Sequence, residues 1–246
     1  MRFPFAIVCL VLLLAPAARA DGPQSAEAAM KAARELITHT EGLAKAGKRP
    51  DYSAPPASDY MRRIFDTQAF AALPPPQGSD VPWLVNWGDA ANSTNKILML
   101  FGTGPGVDQN AAIGRNMTDN EDAMVTAWSF MLRLNSRMSV AMSQFFKELP
   151  PEQRTAVRIE GASQARTGYV EMITGTLITI AAGLKPANER ILISALRDTA
   201  PGWVITTKPE ERARLLYVIG EARKAKKDGN VEEGLKVLAS MIAAGK

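Results

Sequence analysis

The chain has 246 residues, 29 basic and 25 acidic side chains, one histidine and one cysteine. That length can bury a sizeable apolar core without disulfides. A net charge of +4 is too small to mark a nucleic-acid surface, and a single histidine excludes the two-histidine metalloprotease motif and the Glu-x-x-His pairs of di-iron bundles.

Residues 1–20 read as a secretory signal peptide. Arg2 gives a positive start, an apolar run follows from Phe3 to Ala15, and Ala18-Arg19-Ala20 is a small-x-small cleavage site. The run is shorter than the roughly 20 apolar residues a spanning helix needs. Cys9 lies inside it, so the exported chain has no thiol for catalysis or metal binding. Removal of Arg2 and Arg19 with the leader leaves 27 basic against 25 acidic side chains, a balance of +2. A cysteine-free exported chain of this kind is expected in a bacterial periplasm or outside the cell.

The mature chain divides into a peripheral helix with a proline-rich linker, 21–57, and a helical domain, 58–246. Residues 24–46 carry a thin apolar face of Ala26, Ala29, Ala33, Leu36, Ile37 and Leu43. The stretch 45–58 is rich in proline and glycine and has no periodic face. A second helix is expected over 58–73, facing in with Met61, Ile64, Phe65 and Ala69, and Pro74 to Pro76 stop it. A third covers 81–101, with Leu84, Trp87, Ala91, Thr94, Leu98 and Phe101 on its buried stripe. Gly102-Thr103-Gly104-Pro105-Gly106 then ends it. This loop follows a helix rather than a strand and lacks a following Gly-Lys-Ser/Thr, so it reads as a turn and not a phosphate cradle.

The centre of the chain is a long helix over 118–149. Met117, Met124, Met131, Met138 and Phe145 recur every seven residues, interleaved with Glu121, Trp128, Asn135, Met142 and Leu149. Thr118 and Glu121 suggest a capping box, and Pro150-Pro151 an end. A second helix over 151–183 carries Ile159, Ala162, Arg166, Tyr169, Ile173, Thr176 and Ile180 on one stripe. The short link predicts an antiparallel hairpin, with facing residues whose numbers sum to about 301. A helix from Pro186 to about Thr199 follows, with Ile191, Leu192, Ala195 and Leu196 inward, and Pro201-Gly202 should break it. Trp203 to Thr206 is the only β-like run. Thr207 and Glu210 suggest another capping box, opening a helix to about Lys227, and Asn230 caps a last helix over 231–244. The fold class expected is all-α: a multi-helix bundle organised on the hairpin 118–149 and 151–183, with helix one peripheral.

The hairpin register sets Asn135 against Arg166 in an apolar seam, beside Trp128 and Tyr169. Such a pair either fixes register or lines a pocket for an anionic, partly apolar ligand. These four residues are the candidate ligand-binding set. His39 reads as an exposed helix residue. Asp119, Asn120, Glu121 and Asp122 read as first-turn charges rather than a calcium loop, and Arg223, Lys224, Lys226 and Lys227 as a solvated helix end. No cofactor or metal is expected. The function expected is a non-catalytic binding or interaction role toward a protein or envelope component. The alternative is a small-molecule binder, or an enzyme using carboxylates and arginine, with its site in the helical core.

Overall fold

The structure, a computed structural model, describes residues 24–245 except 102, 104, 105, 107 and 227. The signal-peptide segment 1–20 lies outside the described residues. The chain is an all-α multi-helix bundle, and no strand occurs among the described residues. None of the described helices is long and apolar enough to cross a membrane. Close packing divides the described residues into two units, 24–74 with 82–131, and 75–81 with 132–245.

The first unit opens with α1 (Gln24–Lys45). Ala29, Ala32 and Leu36 are fully buried along it, and it packs on α2 (Ala57–Ile64). The helix expected over 58–73 is two helices. Asp66 accepts a hydrogen bond from the Ala69 amide at 2.8 Å and so caps α3 (Thr67–Ala71). An N-cap residue stands outside helical backbone geometry, which is why the chain breaks there. α4 (Val81–Leu100) follows the expected stripe: Leu84, Trp87, Ala91, Thr94 and Leu98 are fully buried. Its indole Trp87 donates to the Ile64 carbonyl at 2.9 Å, closing the end of α2. Phe65, Phe70, Trp87 and Phe130 form an aromatic cluster with ring centroids 5.0–5.6 Å apart. Each such contact adds about 0.5–1.5 kcal/mol beyond the area it buries.

A helix not expected from the sequence, α5 (Gln109–Asp119), follows the glycine-rich loop. Asp108 caps it, accepting from the Asn110 and Ala111 amides. Thr118 is therefore a helix-interior residue whose hydroxyl donates to the Gly114 carbonyl, and the Thr118–Glu121 capping box does not form. The long helix, α6 (Glu121–Glu148), begins three residues later than expected. Asn116 binds α5 to the end of α4. Its amide donates to the Met99 and Phe101 carbonyls at 3.0 and 2.7 Å, and its oxygen accepts from Arg49 at 2.8 Å. Those carbonyls belong to a helix end that would otherwise lack partners.

α6 buries more than one stripe. Met124, Val125, Ala127, Phe130, Met131, Leu132 and Leu134 are all buried through its middle, as expected of a helix surrounded by protein. The heptad series read from the sequence captures Met124, Met131 and Met142 but misses Ala127, Phe130 and Leu134. Its first half belongs to the first unit and its second half to the other.

In the second unit a 3-10 turn at Pro151–Gln153 leads into α7 (Ala156–Ala182), capped by Thr155. Tyr169 on α7 donates to the Leu132 carbonyl at 2.8 Å, a pair whose numbers match the expected register. Ile159 is 55% exposed, so it does not take its expected place opposite Met142 in a seam. α8 (Pro186–Val204) runs straight through Pro201 and Gly202, where a break was expected. Pro201 sits on the exposed side, while Trp203 and Val204 beyond it are fully buried. The β-like run is thus the end of α8 and the turn that follows it, and Ile191, expected to face in, is 46% exposed. Gly202 explains the closeness of α8 to α6: a Cβ there would lie 2.2 Å from Ser136 Oγ. α9 (Pro209–Ala225) starts one residue later than expected, with Glu211 rather than Glu210 accepting the Lys208 amide at 2.7 Å. α10 (Gly229–Ala244) is capped by Asp228 instead of Asn230, and Gly234 lets it close on Ile193 of α8.

Candidate functional site

The site expected in the core is built from the second half of α6, α7 and α9. Its parts are bonded to groups other than those expected. Arg166 Nε donates to Glu211 at 3.2 Å, and Nη2 donates to Ser163 Oγ. The pair is sheltered, with side-chain exposures of 23% and 16%. Glu211 also holds the first turn of α9, so one carboxylate caps a helix and neutralises the guanidinium. Asn135 is half-buried, and its amide reaches the Met172 sulfur at 3.9 Å. Asn135 and Arg166, expected as partners, are thus engaged with different neighbours. Trp128 is half-buried on the first half of α6.

Tyr169 is buried and sits edge-on to Trp203 at 6.5 Å between ring centroids. Burial pushes its phenol well above the ordinary tyrosine range. The groups around it are satisfied. Ser136 Oγ donates to the Thr199 carbonyl at 3.0 Å, Thr199 Oγ1 donates to the Ala195 carbonyl at 2.7 Å, and Trp203 Nε1 donates to Thr199 Oγ1 at 3.3 Å. A buried layer in which donors and acceptors are matched positions helices and leaves little for a ligand.

The charged clusters are also occupied. Arg223 pairs with Glu232, Lys224 with Glu221, and Lys226 with Glu189, the last pair almost fully buried. Asp119 pairs with Arg49 at 2.8 Å. Among the described residues no group of three or more His, Asp or Glu side chains is placed to hold a metal ion. His39 lies 6.3 Å from the Tyr60 ring.

The first unit differs. A groove of about 260 Å³ runs between α1 and the end of α4, walled by Ile37, Ala44, Ile97, Leu100 and Phe101. Leu100 is 44% exposed on its edge. Thr40 lines the groove, 96% buried from solvent, and its hydroxyl is turned from solvent toward Tyr52. The polar neighbour of Thr40 is Tyr52 from the proline-rich linker, whose hydroxyl is equally buried, and the two hydroxyls are each other's partners in a poorly aligned contact. Burial pushes the Tyr52 phenol up to about 12, and the hydrogen bond with Thr40 lowers it. Among the described residues, these are the two buried side-chain polar atoms without a well-aligned hydrogen bond.

Sequence reasoning missed this pair. Thr40 falls in the register of the apolar face of α1, and Tyr52 sits in a linker with no periodicity. The only available signal was an aromatic in a proline-rich stretch.

No protein-family model matches the chain, and neither a curated protein nor a solved structure does.

Proposed function

We propose that this chain is an exported, non-catalytic binding protein, and that its binding face lies in the unit containing α1 and α4. The observation that carries the reading is the contrast between the two regions. The core set around Arg166 and Tyr169 is consumed by internal bonds, whereas the α1–α4 groove keeps an open apolar wall with Leu100 exposed on its edge. Binding sites are commonly concave and apolar with a few polar groups that orient the ligand. Export rests on the leader read from Arg2, the run Phe3 to Ala15 and the Ala18-Arg19-Ala20 cleavage site.

The competing reading, an anionic-ligand site or arginine-based chemistry at Arg166, needs a cation available to substrate. Glu211 already neutralises it. The chain's groups with proton-transfer capacity near neutral pH reduce to carboxylates and His39, and carboxylate chemistry needs two acids held in different protonation states.

The test is native mass spectrometry of protein purified from its own host. The expected mass begins at Asp21 and carries a retained small molecule or partner. A bare, unprocessed chain would overturn both the binding and the export readings.

A further inference from the structure

We draw no further inference here: the strongest candidate, the open groove of about 430 Å³ between the start of α9 and the end of α10, lined by Arg212, Leu216 and Ile242, carries nothing, because Arg212 stands at the C-terminal end of α10, where a cation is favoured anyway, and nothing in the structure shows what covers the apolar wall.

Discussion

The hydroxyls around Tyr169 and the pair Thr40 and Tyr52 are buried in different ways. Beneath α6, α7 and α8, the hydroxyls of Tyr169, Ser136 and Thr199 each donate to a backbone carbonyl. Between α1 and the linker, Thr40 and Tyr52 sit just as deep with only each other as a poorly aligned partner. A buried polar group bonded to the backbone specifies how helices pack, and one held only by a poorly aligned side chain adds less. The first region is therefore tied down by its backbone bonds, and the second by a single side-chain contact.

The largest expected effects come from forcing the matched region apart. Gly202→Ala places a Cβ 2.2 Å from Ser136 Oγ, which is itself held by the Thr199 carbonyl. Overpacking of this kind costs about 1–3 kcal/mol. Urea denaturation should show that loss, and the double variant with Ser136→Ala should recover part of it. A Gly202→Ala chain as stable as the original would mean that α8 does not approach α6 as described. No comparable loss is expected at Gly42 in α1, where an added Cβ meets nothing within 4 Å.

A single pair of identical substitutions sharpens the contrast further. Tyr169→Phe removes a bond of 2.8 Å to Leu132 and should cost about 1–1.5 kcal/mol. Tyr52→Phe removes a hydroxyl whose one polar neighbour is the poorly aligned Thr40, and should cost less than Tyr169→Phe. Thr40→Val should behave like Tyr52→Phe. Chemical denaturation of the variants side by side decides the matter. Equal losses at Tyr52 and Tyr169 would mean that Tyr52 is bonded in solution and that the two regions do not differ.

How much of this was legible in the sequence follows from the range of the forces involved. The α4 stripe and the stop at Pro150-Pro151 are local, set by period and by backbone chemistry, and they are where periodicity placed them. α5 was missed because its buried residues are only Ala112 and Asn116, too sparse a face to register as amphipathic. The continuation of α8 through Pro201 was missed because a proline on an exposed side sacrifices one backbone bond, while Trp203 and Val204 beyond it gain full burial. The partner of Arg166 was misread for a different reason. Facing positions along two consecutive helices can be counted, but Glu211 arrives from a helix 45 residues away. No spacing rule spans that distance. The Thr40–Tyr52 neighbourhood is invisible on the same ground, since it joins a helix to a linker without a period.

The smallest expected effect is alkaline, and it isolates the unmatched region from the matched one. Tyr52 has its phenol pushed up to about 12 by burial, against about 10 in an unfolded chain. A raised folded value means the folded state holds its proton after the unfolded state has lost it. Below pH 10 both states are protonated and the shift contributes no pH dependence. Between pH 10 and 12 the unfolded chain ionises first, so stability falls across that window. Near pH 10.5 the loss from one such group is a little under about 1 kcal/mol. Tyr169 is displaced in the same direction by burial, so the original chain alone cannot separate the two. Tyr52→Phe removes one and keeps the other. Denaturation profiles of the two chains should therefore agree in slope below pH 9 and diverge between pH 10 and 11, with Tyr52→Phe the less sensitive. Parallel profiles with and without the substitution would place Tyr52 in contact with water and remove the buried pair on which the contrast rests.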